Sequence, residues 1–191
     1  LENNFRLELN HQKKDIDKLL VIRNYLTSRT ANLRDERDKY NSNHQEQIKY
    51  RNETNNKSKT LKKQIELSKQ ESTQLQSQIS TLKKQREQLN DTTNRLRNEG
   101  KKGAEFTKAL EEAQKLTRKI KQLVKKDNGE YISRQNNHNQ QQKLYKKSRR
   151  FHKNAVKHRN NANDLHNEFV TIMNILNSLN YIISTITLQS T

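Results

Sequence analysis

In the N-terminal half of the chain, positions at alternating spacings of three and four hold apolar residues, interspersed with small polar residues, glutamines, a histidine and arginines. The series begins at Leu9 and continues without interruption to Leu96. The chain contains no proline, and no glycine precedes Gly100. A 3.5-residue period held over this length is typical of a supercoiled helix that presents one narrow seam to a partner helix. The pattern therefore predicts a long coiled-coil helix over residues 1–98.

Two glycine-containing segments punctuate the rest of the chain. The first contains Gly100 and Gly103, and glycine ends helices because it tolerates positive φ. The second is Asp127-Asn128-Gly129, a tripeptide typical of turns. The sequence therefore predicts a first coiled-coil arm over 1–98, a hairpin tip at 99–103, a short return helix over 104–126, a break at 127–130, and a basic, then apolar, return helix over 131–191.

Apolar and polar zones predict how the arms pair. If the chain reverses at 99–103, residues whose numbers sum to roughly 203 face each other. Apolar residues 165–186 then lie beside 16–33, and polar residues 131–163 lie beside 40–72. This match favours an all-α fold, a long antiparallel coiled-coil helical hairpin that could also form oligomers. A parallel homodimer is the alternative that the pattern leaves open.

Composition limits the fold and the cellular setting. Only 28% of the 191 residues are hydrophobic and none is cysteine. This apolar content is too low for a compact core of ordinary size but is sufficient for a narrow seam. The absence of cysteine fits a reducing compartment, and we expect a cytoplasmic protein. The segment Phe169–Leu188 is interrupted by Asn174, Asn177 and Asn180, so we expect no transmembrane insertion.

Motifs that indicate catalysis or metal binding do not occur in the sequence. The six histidines form no i,i+4 pair and no HExxH motif. There is neither a glycine-rich phosphate loop nor a nucleophile elbow. We therefore expect a protein that is not an enzyme and that has no metal site, no catalytic residue and no cofactor.

Positive charge is the second main feature. The 39 Lys and Arg residues exceed the 21 Asp and Glu residues, which gives a net charge of +18. Half of this excess lies in residues 131–163, which contain no acidic residue. Solvated helices usually mix charges to gain i,i+4 pairs, so the excess indicates a polyanionic partner. A basic solvated face with no partner is the alternative. The predicted RNA-binding residues are Arg134, Lys143, Lys146, Lys147, Arg149, Arg150, Lys153, Lys157 and Arg159, with Lys101 and Lys102 at the tip.

Arginines recur on the seam of the first arm. Arg23, Arg37 and Arg51 are spaced by two heptads, and Arg86 belongs to the same series. Two interpretations are open. Their aliphatic stems could run along the seam and fix the register. Alternatively, they could point a row of guanidinium groups at an anionic partner.

These arginines begin short recurring words: RDKYN at 37–41, RNETN at 51–55 and REQLN at 86–90. With the segment LYKKSRRFHKNAVKHRNNANDLHNEF at 144–169, they resemble an archaeal coiled-coil family built on RDELN-like repeats. That family is similar to the eukaryotic brefeldin-A-resistance, or nuclear segregation, proteins. The resemblance covers roughly residues 30–170. It implies association with ribosomes or messenger RNA and carries no catalytic motif.

Charge and resemblance together predict a non-enzymatic, basic coiled-coil factor that binds the ribosome or the RNA backbone, with ribosomal or messenger RNA as its partner. The alternative is a structural coiled coil of a cytoskeletal or axonemal assembly, whose basic surface meets acidic protein tails. Protein partners and a homodimer are compatible with both.

Overall fold

The structure is a computed structural model that describes residues 1–189. It consists of two α-helices, α1 (Glu2–Asn98) and α2 (Ala104–Gln189), and its described residues include no strand. The two long helices pack against each other as a hairpin. This confirms the predicted all-α helical hairpin, with both helices supplied by one chain. The bounds of α1 and the start of α2 agree with the predicted arm at 1–98 and tip at 99–103.

A glycine in the left-handed region ends α1. Gly100 has a φ of 73°. Its amide donates to the carbonyl of Arg97 at 3.1 Å, and the amide of Lys101 donates to the carbonyl of Leu96 at 2.8 Å. These two bonds form a Schellman motif, in which the residue after the helix adopts a left-handed conformation that favours glycine. The motif satisfies the last carbonyls of α1 and turns the chain toward α2.

The predicted break at 127–130 is wrong, because α2 is one helix through Asp127, Asn128 and Gly129. The predicted return helices over 104–126 and 131–191 are therefore a single helix within the described residues. Gly129 is exposed, and a Cβ there would meet nothing within 4 Å. An exposed glycine weakens a helix interior by only about 0.5–1 kcal/mol relative to alanine.

Hydrogen bonds across the seam join α1 to α2 on both sides of Gly129 and form a polar layer there. Ser72 Oγ donates to Asp127 Oδ1 at 2.5 Å, and Ser68 Oγ donates to Glu130 Oε2 at 2.6 Å. Arg134 Nη1 donates to Ser72 Oγ at 2.6 Å. Both serines are buried, and their small side chains leave room for the longer acidic and basic groups. Because these polar groups have partners, the seam continues without an apolar residue and without an unsatisfied donor or acceptor at these positions.

The chain divides into two compact units. The first unit contains residues 1–52 and 148–189, and the second contains Glu53–Lys147. Buried apolar side chains of the first unit are Leu33, Ala155, Ala162, Leu176 and Leu179. Those of the second are Ile65, Leu75, Ile79, Leu96, Ala109, Ala113 and Ile120. Each unit is therefore held by a thin row of seam residues rather than by a broad core.

Contacts in each unit confirm the predicted register. In the first unit, Arg37 Nη1 lies 3.3 Å from His166 Nδ1. In the second unit, Gln76 Nε2 donates to Asp127 Oδ2 at 3.4 Å. The residue numbers of both pairs sum to 203. The matching of apolar and polar zones therefore placed α2 against α1 correctly within each unit.

Seam arginines of the first unit reach the opposite helix. Arg37 contacts His166 and also donates to Asp38 Oδ1 at 3.0 Å. Arg51 Nη1 lies 3.2 Å from His152 Nδ1. Both arginines are half-buried. These contacts support the interpretation in which arginine stems follow the seam and help to fix the register.

Candidate anion-binding surface

A basic groove lies on the first unit. Its cavity measures about 520 Å³ and it is lined by Arg51, Ser148, Arg149, Arg150, His152 and Lys153. We call it the arginine groove. Four of its lining residues are cationic, and none of the six is acidic. The lining therefore contains no carboxylate that could neutralise its positive charge.

Helix periodicity and the hairpin register together build this groove. Arg149 and Lys153 are four residues apart on α2, so they project from the same face of the helix. Ser148 and His152 are also four apart and lie closer to the seam. Arg51 reaches the groove from α1 because the register places it opposite His152. Two helices thus supply the groove, and neither would form it alone.

The guanidinium of Arg51 is oriented by two acceptors. Its Nη1 lies 3.2 Å from His152 Nδ1, and its Nη2 donates to Asn52 Oδ1 at 3.3 Å. Because a guanidinium only donates, His152 is the acceptor of this contact at Nδ1. The side chain of Arg51 is half-buried. A guanidinium has five N–H donors, more than these two contacts use, so it can also donate to a bound anion.

Aromatic packing supports the floor beside Arg51. The rings of Tyr50 and Phe151 are 5.6 Å apart at an interplanar angle of 46°. Such tilted pairs add stabilisation beyond the burial of their area. The pair is formed by the residues next to Arg51 and His152, so it fixes the helices where the groove forms. Phe151 is half-buried and is therefore a packing residue.

A second groove lies on the second unit. Its cavity measures about 500 Å³ and it is lined by Lys57, Thr60, Leu61, Gln64, Gln140, Lys143, Leu144 and Lys147. We call it the lysine groove. It differs from the arginine groove because its floor contains two leucines and its cations are all lysines. The two grooves therefore differ in the chemistry of their linings.

Arg134 contacts the facing helix across the seam. Its guanidinium is half-buried in the seam, where Nη1 donates to the carbonyl of Ser68 at 3.1 Å and to Ser72 Oγ at 2.6 Å. It also lies 6.0 Å from the centre of the Tyr131 ring. These contacts hold Arg134 against the facing helix, where it stabilises the fold, and its part in binding an external anion stays a prediction.

Other predicted residues are exposed but do not form one cluster. Arg149, Arg150 and Lys153 line the arginine groove, and Lys143 and Lys147 line the lysine groove. The remaining predicted residues are exposed outside both linings: Lys146, Lys157, Arg159, Lys101 and Lys102. At the tip, Lys101 Nζ lies 3.0 Å from Glu99 Oε2, so an acidic neighbour offsets its charge.

Two cationic lining residues, Arg51 and Lys57, were absent from the predicted set, as was His152, which contacts Arg51. For Arg51 the sequence left two interpretations open, a seam residue or a guanidinium that faces an anionic partner. The register sum of about 203 places it opposite His152, which is the signal that could have identified the pair. Lys57 lies opposite Lys147 by nearly the same sum, so the register also indicated the lysine groove.

Metal-ligating side chains do not converge within residues 1–189. These residues contain no cluster of three or more His, Cys, Asp or Glu side chains that could hold a metal ion. The expectation of a non-enzymatic protein without a cofactor stays a prediction.

One helix in the described part of the chain is long and apolar enough to cross a membrane by length and composition. Within α2, an 18-residue window has a mean hydropathy of 1.3, and 11% of that window is buried. The apolar segment 169–188 of α2 also contains Asn174, Asn177 and Asn180, and unpaired amides are costly in hydrocarbon. The absence of transmembrane insertion stays a prediction.

Comparison of the chain with protein-family models, curated proteins and solved structures finds no match. The resemblance to the RDELN-repeat coiled-coil family therefore stays a prediction.

Proposed function

We propose that this chain is a non-enzymatic, basic coiled-coil factor that binds ribosomal or messenger RNA through the phosphate backbone in the cytoplasm. The main contact is the arginine groove. The observation that carries the proposal is the convergence of Arg51, Arg149, Arg150 and Lys153 on one cavity whose lining contains no acid. Like charges repel one another, and an anion bound in the groove would reduce that repulsion.

Arginine chemistry favours phosphate as that anion. Guanidinium groups form bidentate, charge-assisted hydrogen bonds with phosphate oxygens. Arg51 is already oriented by His152, so less conformational freedom is lost when it binds. The groove lies on two regular helices, and its lining has no Phe, Tyr or Trp, so an unpaired base could stack there only on His152 or an arginine. Contacts to the backbone are therefore expected to dominate over sequence reading.

The proposal is tested with a triple variant, Arg149→Gln, Arg150→Gln and Lys153→Gln. Its matched control replaces three exposed cations of the same helix with glutamine, at Lys108, Lys121 and Lys125. RNA affinity is measured by fluorescence polarisation over a range of salt concentrations. The groove variant should bind much more weakly, and its salt slope should fall by up to about 0.7 for each single-strand phosphate that it no longer neutralises. Equal weakening in the two variants would mean that only net charge matters.

A structural role in a protein assembly is the second candidate function. It is favoured by an exposed apolar surface beside the seam of the first unit, formed by Ile22 and Ile175, which we call the apolar flank. Arg29 Nη2 pairs with Glu168 Oε1 at 3.0 Å beside the seam, and this hydrogen bond raises the pKa of Arg29. One heptad away, the equivalent positions hold Ile22 and Ile175, which are 48% and 49% exposed. Residues 169–189 carry no charged side chain. Two copies of this strongly basic chain could therefore meet there without charge repulsion.

Sedimentation with ribosomes separates the two candidates. An RNA-backbone factor should leave the ribosomal pellet after RNase treatment or in high salt. A component of a protein assembly should remain associated with its partner after RNase. Retention in the pellet despite both treatments would contradict the RNA proposal.

A further inference from the structure

The lysine groove has an apolar floor that the hairpin leaves uncovered. Leu61 and Leu144 occupy seam positions on facing helices, yet both are only half-buried. By contrast, Ile65, one seam position further along α1, is 2% exposed. A partly uncovered leucine pair inside a groove retains hydrophobic surface that a ligand could remove from water.

Positive charges without an acidic neighbour line the groove beside the two leucines. Lys57 and Lys147 each occupy the position just before a seam residue, on α1 and α2 respectively, and Lys143 is four residues before Lys147. Like charges at i,i+4 on a helix repel each other. None of the eight lining residues is acidic. The lysines therefore have no carboxylate within the groove to draw them together over the leucines.

Elsewhere in the second unit, the positions equivalent to Lys57 and Gln140 form an ion pair between the two helices. Glu71 and Lys126 also precede seam residues, and Lys126 Nζ lies 3.0 Å from Glu71 Oε1. Two heptads along α1 and α2, the equivalent positions are Lys57 and Gln140. The groove thus lacks an ion pair at a position where this hairpin can form one. An anionic ligand would supply the missing charge.

The chemistry of the lining selects the class of ligand. The floor is aliphatic, and no aromatic or arginine side chain is present on which a nucleobase could stack. Lysine ammonium groups act as point charges and suit a single anionic head group. The cavity of about 500 Å³ falls in the range of small-molecule sites. Two glutamines and a threonine add donors that could bind head-group oxygens.

We infer that the lysine groove binds a single-chain amphipathic anion, whose alkyl chain covers Leu61 and Leu144 and whose anionic head lies among Lys57, Lys143 and Lys147. A long-chain carboxylate and a single-chain phospholipid share this chemistry. This ligand site goes beyond RNA-backbone binding, which the arginine groove of the first unit carries.

Another groove of the second unit is an internal control. It measures about 570 Å³ and also contains two leucines, Leu89 and Leu116. Its lining holds one lysine, Lys115, and one glutamate, Glu112, so its charges balance. Size and aliphatic lining are therefore similar in the two grooves, whereas net charge differs. A ligand that recognises both chain and head should prefer the lysine groove.

The experiment uses stearate with a nitroxide on its chain and the full-length chain with ¹³C-labelled leucine methyl groups. The methyl signals of Leu61 and Leu144 should broaden at lower stearate concentrations than those of Leu89 and Leu116. Equal broadening in the two grooves would mean non-specific apolar association and would overturn the inference. Displacement of the nitroxide-labelled stearate by an RNA oligonucleotide would assign the groove to RNA and would also overturn it.

Competition identifies the head group. Oleate and an oleoyl lysophosphatidate should both displace the labelled stearate, and the one that displaces it at lower concentration identifies the source of the ligand. The uncharged monooleoylglycerol should be at least about ten-fold weaker, because it cannot pair with the lysines. Displacement by monooleoylglycerol with equal strength would show that charge is not recognised, which contradicts the inference.

Variants separate binding from folding. Lys57→Gln, Lys143→Gln and Lys147→Gln together should abolish selective broadening, whereas the triple replacement of exposed Lys59, Lys62 and Lys63 by glutamine should preserve it. Gln140→Glu should place a carboxylate opposite Lys57 in the geometry of the Glu71–Lys126 pair. This variant should raise the melting temperature while it weakens stearate binding. Loss of binding in the Lys59, Lys62 and Lys63 control would overturn the inference.

Discussion

The Nη1 of Arg51 lies 3.2 Å from Nδ1 of His152 on the opposite helix. The same relationship recurs two heptads away, where Arg37 Nη1 lies 3.3 Å from His166 Nδ1. Each pair joins α1 to α2, and each requires the imidazole to accept a hydrogen bond. The pair at Arg51 therefore links the register of the hairpin to the orientation of a cation in the arginine groove.

Substitution of His152 tests this link. Glutamine has a side-chain oxygen that can accept from Arg51, whereas leucine has no acceptor. We expect His152→Leu to weaken RNA binding by about five-fold, which corresponds to roughly 1 kcal/mol for the removal of one orienting hydrogen bond. His152→Gln should bind nearly as the original chain does. Fluorescence polarisation gives the affinities, and circular dichroism checks that helicity is unchanged. Equal binding by both variants would show that His152 does not position Arg51.

Seam positions were the most predictable part of this fold. Every predicted seam position from Ile16 to Leu96 on α1 is buried or half-buried, because a heptad period leaves one face against the partner. The turn at Gly100 was also predictable from local sequence, because the left-handed backbone conformation that ends a helix favours glycine. Local patterns determine these features, and a single sequence displays them directly.

Long-range polar contacts could not be predicted in the same way. Asp127 in the sequence Asp-Asn-Gly indicates a turn, but in the structure its carboxylate accepts from Ser72, which lies 55 residues earlier. Arg134 likewise resembles any other basic residue of its segment until its contact with Ser72 places it in the seam. Whether a polar side chain points into the seam or out to solvent depends on partners from the facing helix. Basic composition alone therefore located the grooves only approximately.

Two glycine substitutions should have opposite effects on stability. Gly100 has a φ of 73°, so Gly100→Ala forces an L-residue into the left-handed region and should lower the free energy of unfolding by about 1–2 kcal/mol. Gly129 lies inside α2, where an added Cβ would have open space within 4 Å. Gly129→Ala should raise the free energy of unfolding by about 0.5–1 kcal/mol. Urea denaturation followed by circular dichroism measures both. Destabilisation by Gly129→Ala would contradict a continuous α2.

The stability of the polar seam layer should depend strongly on the hydroxyl of Ser72. Ser72 Oγ donates to Asp127 at 2.5 Å and accepts from Arg134 at 2.6 Å. Ser72→Ala removes both hydrogen bonds at once and leaves polar groups poorly satisfied in the seam, so the free energy of unfolding should fall by about 1–3 kcal/mol. Ser80→Ala is the control on the same helix. Ser80 is exposed, so its replacement should change stability by less than about 0.5 kcal/mol. Similar effects of the two changes, measured in urea, would show that the layer contributes little.

The apolar flank of the first unit predicts that two copies of the chain associate, and that this association depends on Ile22 but not on the adjacent Val21. Ile22 is 48% exposed at the position that, one heptad away, holds Arg29 in its ion pair with Glu168. Ile22→Lys adds a charge to this flank, where a second copy would have to bury it, and burial of an unpaired charge is strongly unfavourable. The variant should be monomeric at concentrations where the original chain forms dimers in sedimentation equilibrium.

Val21→Lys provides a matched control, because Val21 is the adjacent residue, is 69% exposed and lies further from the seam. It adds the same charge but should leave the dimer intact. If the original chain remains monomeric at high concentration, or if Val21→Lys disrupts the dimer as strongly as Ile22→Lys, the flank is not an interface between copies.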